Sequence, residues 1–252
     1  MTAGGLLVIV ITICIGAFLV YKGSGTFTIF HHSLSDFLFS ADWEPADNAE
    51  GGGTVGALIF IVGSLCTCGL ALLIATPFAL GSAIFMIEIA PKFGEKFYRP
   101  IVEIFAGIPS VVYGFFGLMM LVPLIRDLFH KGNGSSILSA SILLGIMILP
   151  TIIGVTESAI RAVPSNYYEG SLALGATKER SLFFVVLPAA KSGLIAGVVL
   201  GIGRAIGETM AVVMVAGNQA RMPAGILRGV RTMTSNIVLE MGYAADLHRE
   251  AL

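Results

Sequence analysis

Apolar stretches of about 20 residues dominate this chain and constrain its fold more tightly than any motif. They run at about Gly5 to Tyr21, Thr54 to Ile89, Ile101 to Ile125, Ser136 to Ile160 and Gly193 to Gly217. Roughly 20 helical residues cross about 30 Å of hydrocarbon, whereas an outer-membrane barrel shows alternating segments of about ten. The expected fold class is therefore an all-α integral membrane protein: a polytopic helical bundle with five visible transmembrane helices. A hydrophobic content of 56% against 12% charged residues agrees, since a soluble domain carries about twice that charge. The net charge is −1 and the charges are scattered, which gives nucleic acid no footing.

The first run begins almost at Met1 without the basic leader and small-residue cleavage site of a signal peptide, and reads as a retained anchor. The second exceeds what a bilayer requires. It must tilt, protrude or bend near Pro77, with Thr54 to Gly56 as its wet start. Cys14, Cys66 and Cys68 lie in apolar stretches and read as small packing hydrophobes rather than a redox or zinc pair. No internal repeat is visible.

Between the spans lie a polar segment at 22–53, the linker PKFGEKFYRP at 91–100, a tight link around RDLFHKGNGS, a loop at 161–191 and a mixed tail at 218–252. Lys92, Lys96 and Arg99 in the linker, with Arg161, Lys178, Arg180 and Lys191 in the loop, point these two regions to the cytoplasm. The segment at 22–53 and the tail are then extracytoplasmic. Arg221, Arg228, Arg231 and Arg249 in the tail work against that orientation. An odd number of spans adds the expectation of a sixth helix beyond the C-terminus.

The loop has its own pattern. Asn166 with Glu169 three residues on reads as a helix start, Gly175 as its left-handed end, and Thr177 as the cap of a second short helix closed by Pro188. Glu169-Gly170-Ser171, three residues, Gly175, nine residues and VVLP ending at Leu187-Pro188 resemble the EAA loop of ABC importer permeases. In that family the pattern is Glu-Ala-Ala, three residues, Gly, nine residues and Ile-x-Leu-Pro. Gly170 and Ser171 stand for the alanines and Val185 for the isoleucine. GIPSVVYGFFGL (107–118), LPTIIGVTESAIRAVP (149–164), GIGRAIGETMAV (201–212) and RTMTSNIVLEMG (231–242) are similar to permeases of bacterial phosphate importers, and the last of them favours the PstC over the PstA type.

The resemblance implies a single ABC-importer transmembrane domain over 1–252. It implies that Glu169, Gly170, Ser171, Gly175, Leu187 and Pro188 form the coupling element that docks on a cytoplasmic ATPase. The implied partners are a sibling PstA-type permease, two ATPase subunits, an extracytoplasmic phosphate-binding protein, phosphate and membrane lipid. The resemblance further implies no catalytic residue and no metal or cofactor in this chain, with ATP and Mg on the ATPase. Permeases of this kind also have a sixth span. A related importer for molybdate, tungstate or sulfate, or a membrane sensor or assembly subunit without transport, stands as the alternative.

The candidate path residues are Arg204 and Glu208, inside an apolar run where each charge costs roughly 2.5–3.5 kcal/mol at the centre of a membrane helix. On a continuous helix, Gly193, Gly197, Gly201 and Ala205 form one ridge, with Arg204 and Glu208 within about 60° of Gly201. Small residues at this spacing let helices approach closely. Arg204 and Glu208, one turn apart, would partly neutralise each other. Two readings stand: a static ion pair, or a cation lining an anion path with the glutamate holding it between passages.

Glu157 pairs with Arg161 at four-residue spacing, and Glu88 and Glu103 sit near the interface where snorkelling relieves them. His31-His32 lacks the further ligands of a metal site. GGG at 51–53 has no following Lys-Ser/Thr, and Gly201-Ile202-Gly203 has no strand before it, so neither is a nucleotide loop. Trp43 and Phe37 to Phe39 suit interfacial or partner contact and mark 22–53 as a surface that helps receive the binding protein.

Overall fold

The computed structural model describes residues 2–46, 52–130 and 133–252. The chain divides into two compact units, one of Met1–Ser64, Asn218–Ala224 and Val230–Leu252, the other of Leu65–Gly217 and Gly225–Gly229. The lysine of the tight link and Gly51 of the glycine triplet lie outside the described residues.

The first unit opens with α1 (Gly4–Thr28), apolar enough to cross a membrane and with none of its apolar window buried within the chain. The apolar window takes its stability from lipid or another subunit, because no described residue buries it, whereas Gly25 and Thr26 at the end of the helix are buried. Cys14 is exposed on it rather than packed. The polar segment that follows is ordered. Ser33 accepts a hydrogen bond from the Ser35 N–H and starts α2 (Leu34–Phe39), and β1 (Trp43–Pro45) pairs antiparallel with β2 (Gly53–Val55), Trp43 opposite Val55. Thr54 and Val55 thus belong to a strand, and the long helix α3 (Leu58–Ile89) starts later than its apolar run suggests.

Helix α3 passes from the first unit into the second and continues through Pro77. Its final turn, Phe85–Ile89, is π-helical. Ala71, Ala75, Ala79 and Ala83, four residues apart, form a fully buried edge, whereas Cys66 is exposed and Cys68 buried.

The expected third span is broken. Helix α4 (Arg99–Gly107) ends at Ile108, whose backbone is extended because Pro109 excludes the helical conformation from its predecessor. The membrane-crossing part is α5 (Ser110–Phe129), which outruns Ile125 by a turn and ends on left-handed His130. Ser136 then accepts from the Ser139 N–H and caps α6 (Ile137–Arg161). This is the most deeply buried of the candidate spans, and Pro150 lies inside it. Ser141 donates to the Thr67 carbonyl at 2.9 Å and ties α6 to α3.

Helix α7 (Ser165–Ala173) and α8 (Lys178–Ala189) form the loop after α6, and α9 (Lys191–Gly207) follows at a 68° bend from α8. The expected fifth span is also interrupted. Helix α9 stops at Gly207, Glu208 is extended, and a separate short helix, α10 (Met210–Val215), follows. In the first unit the tail forms α11 (Met233–Glu240) and α12 (Asp246–Ala251), each too short to span a membrane. With four helices long and apolar enough to cross, or five if the bent pair is one span, this is a helical, multi-pass membrane fold.

Candidate functional site

The glycine ridge of α9 does what its spacing predicts. A β-carbon built on Gly193 would collide with the Ala159 side chain, one on Gly197 would stand 3.3 Å from Val155 Cβ, and one on Gly201 2.9 Å from Ile152. The ridge lies against α6, stepping from Ala159 through Val155 to Ile152. Gly197, Gly201 and Ala205 are buried. Close approach of the two backbones sets which side chains meet further along: Arg204 reaches α6 at Thr151, and its Nη1 donates to Thr151 Oγ1 at 3.0 Å.

The expected neutralisation of Arg204 by Glu208 is not formed. The helix ends between them, so their one-turn geometry is lost. The Glu208 carboxylate turns forward, and its Oε1 accepts from the Ala211 N–H at 3.2 Å. That N–H is among those at the start of α10 that have no partner within the helix, and a negative group is favoured there. Among the described residues Arg204 enters no ion pair. The guanidinium is half-buried and is met by a neutral hydroxyl.

The break in the other span is closed in a matching way. Tyr113, in α5, donates its hydroxyl to the Phe105 carbonyl in α4 at 2.7 Å and satisfies an orphan acceptor at the end of that helix. Helices α5 and α10 run side by side, Gly114 so near Ala211 and Met214 that a β-carbon would stand 3.0 Å from Ala211 Cα. Two interrupted spans, with their breaks stapled by side chains, thus accompany the arginine. Sequence reasoning missed Thr151 and Tyr113. Isolated hydroxyls in apolar helices were their only signal, and which helix faces them is not written locally.

The loop after α6 places its motif residues in two groups. Glu169, Gly170, Gly175 and Pro188 are exposed, while Ser171 and Leu187 are half-buried. Helix α7 starts at Ser165 with Pro164 before it, so Asn166 lies inside the helix rather than capping it. Gly175 has φ +87° and open space around it, and the left-handed turn is as expected. Thr177 accepts from the Arg180 N–H at 3.3 Å, as expected of a cap. Pro188 is the next-to-last residue of α8, which ends at Ala189, and the bend follows at Ala190. Leu182, Val186 and Ala190 pack on Ile160 with Ile84, Ile87 and Tyr168 around them. The loop is thereby anchored to the ends of α3 and α6 while Leu174 projects 92% exposed at its tip.

Arg161 binds Glu157 at 2.9 Å and Glu95 at 3.1 Å, and Arg99 lies 3.8 Å from Glu157. The Glu157–Arg161 pair is as expected. The network also joins the linker at 91–100 to the base of the loop, so the two basic regions share one end of this unit. Glu103 adds a bridge to Arg99 at 3.1 Å.

A second polar cluster, invisible in the sequence, lies in the first unit. Glu240 accepts from Trp43 Nε1 at 2.8 Å, pairs with Arg231, and lies 2.9 Å from His248 Nε2. Arg231 also donates to Asn236 Oδ1 at 3.0 Å and to the Asn218 carbonyl at 3.2 Å. Burial alone would raise the Glu240 carboxyl, but the hydrogen bonds from Trp43, His248 and Arg231, with the arginine charge, outweigh it and hold the group below the usual range. Trp43 is half-buried, tied to Glu240 and edge-on to Phe60.

Apolar helices, two broken helical stretches, an exposed loop anchored at one end and a half-buried arginine held by a hydroxyl describe a multi-pass helical membrane protein. The chain belongs to the binding-protein-dependent transport system inner membrane component family, whose model matches residues 75–245. It is 43% identical to the "Probable ABC transporter permease protein YqgH" of Bacillus subtilis, over 96% of this chain and 77% of that protein. It is 36% identical to the phosphate transport system permease protein PstC of Xylella fastidiosa, over 86% and 71%. With PstC of Haemophilus influenzae the identity is 32%, over 98% and 83%.

Proposed function

We propose that this chain is the PstC-type permease subunit of an ATP-driven importer of inorganic phosphate. A sibling PstA-type permease completes the path, two cytoplasmic ATPase subunits supply ATP and Mg chemistry, and an extracytoplasmic binding protein delivers phosphate. The observation that carries the reading is Arg204: a guanidinium in a membrane-crossing segment held by a neutral hydroxyl rather than a carboxylate. Phosphate loses hydration in a low-dielectric path, and a fixed cation offsets part of that loss.

Glu208 stands at the break beside it. A swing of its carboxylate from the Ala211 N–H to the guanidinium neutralises Arg204 once the anion has left and prevents a trap. Glu169, Gly170, Ser171, Gly175, Leu187 and Pro188 act as the ATPase-docking element, with the exposed tip around Leu174 entering the partner. A guanidinium recognises any tetrahedral oxyanion, so sulfate or molybdate import is the reading to set against phosphate.

Labelled phosphate uptake, with copurification of the partner subunits from the same cells, tests this. Arg204→Ala abolishes uptake with assembly intact, the Arg204→Leu/Glu208→Leu double change assembles and stays inactive, and excess sulfate or molybdate does not compete. Uptake restored by the double change would make both residues structural, and competition by sulfate or molybdate would reassign the substrate.

A further inference from the structure

We infer that Thr151 is a second anion-recognising residue, which positions Arg204 and adds its own hydroxyl to the same binding point; this rests on the reading of Arg204 given above. Thr151 follows Pro150 on α6, and the Gly193–Gly197–Gly201 ridge brings α9 close enough for the guanidinium to meet it. The bond runs from Arg204 Nη1 to Thr151 Oγ1.

The direction of that bond has a consequence. A helical serine or threonine ordinarily spends its proton on the carbonyl four residues back. Ser158, on the same helix, does so, donating to the Gly154 carbonyl at 2.8 Å. Thr151 is turned toward α9 instead, accepts from the arginine, and donates to no other described residue. Its proton is left beside a guanidinium whose one hydrogen bond among the described residues is this one.

The chemistry of the acceptor matters as much as its place. A carboxylate at 151 would hold Arg204 equally well but cancel its charge. A hydroxyl orients the planar group and leaves the charge whole. An oxyanion arriving at Arg204 accepts from the guanidinium and from the Thr151 O–H together, so the position of its oxygens is fixed by two helices rather than by one flexible side chain.

The test is a double-mutant cycle on phosphate uptake in cells expressing the whole transporter, with copurification of the partner subunits measured for every variant. Thr151→Val keeps shape and removes the hydroxyl. It lowers uptake about tenfold or more, as expected for loss of a hydrogen bond to a charged group. Thr151→Ser restores the hydroxyl and returns uptake to near the starting level, a rescue that packing alone would not produce. In an Arg204→Lys background Thr151→Val costs much less than it does alone, because the two act through one site.

Wild-type uptake in Thr151→Val, or equal losses in both backgrounds, overturns the role of Thr151 and leaves Arg204 standing if Arg204→Ala is inactive. Retained uptake in Arg204→Ala overturns the reading of Arg204 itself. Should Thr151→Val not assemble, Thr151→Cys, of similar size with a weakly accepting sulfur, enters the same cycle.

Discussion

Gly201 of α9 faces Ile152 of α6 so closely that a β-carbon on the glycine would stand 2.9 Å from both Ile152 Cδ1 and Cγ1. The contact atoms belong to the fully buried Ile152 side chain rather than to backbone, so one extra methyl requires only a small side-chain shift, whereas a branched side chain requires much more. Gly201→Ala should retain assembly. Gly201→Leu should lower the thermal midpoint of the purified complex by an amount corresponding to about 1–3 kcal/mol of overpacking. Equal midpoints for the two variants would show that α6 and α9 are not held by this approach.

Glu208 separates two roles in one side chain. Its carboxyl oxygen caps the Ala211 N–H, which glutamine does as well, but only the acid carries charge. Glu208→Gln should therefore keep wild-type thermal stability and lose phosphate uptake. Glu208→Ala should lose uptake and also about 1 kcal/mol of stability from the uncapped helix start. Uptake retained in Glu208→Gln would remove its charge from the transport cycle.

At Gly175 the φ of +87° is the constraint, because nothing lies within reach of an added side chain. Gly175→Val places a β-branched residue in the left-handed region, with a penalty of roughly 1–2 kcal/mol, while Gly175→Asn tolerates it. The valine variant should insert normally but show reduced uptake and reduced recovery of the ATPase on copurification, with asparagine close to wild type. Normal recovery and uptake in the valine variant would refute the docking assignment.

Acid should loosen the cluster around Glu240. A carboxyl held below the ordinary glutamate value of 4.5 contributes stability that is full above that value and lost as pH falls through the depressed folded value. Hydrogen exchange of the 231–248 amides should accelerate in that acid window, and Glu240→Gln should be less protected at neutral pH and show little further change on acidification. An unchanged acid response in Glu240→Gln would assign it to another group.

The membrane class, the bundle and much of α9 were legible in the sequence, because lipid imposes its requirement residue by residue. An apolar run long enough to cross needs no knowledge of its neighbours, and a four-residue glycine spacing marks a close-packing face wherever the partner lies. The turn at Gly175 and the cap at Thr177 were equally local. The interruption at Ile108 had its signal in Pro109, but continuous apolarity concealed it.

The break after Gly207 had no comparable local cause. It accompanies the packing of α10 on α5 at Gly114, more than ninety residues away in the chain, and it converts an expected Arg204–Glu208 ion pair into two separate contacts. Thr151 beside Arg204, and Trp43 beside Glu240, are likewise products of which helix faces which. Hydropathy and spacing determined that this chain crosses a membrane and where a charge had to be explained. Only the tertiary structure decided what that charge touches, because a hydrogen-bond partner is chosen by distance in space and not by distance along the chain.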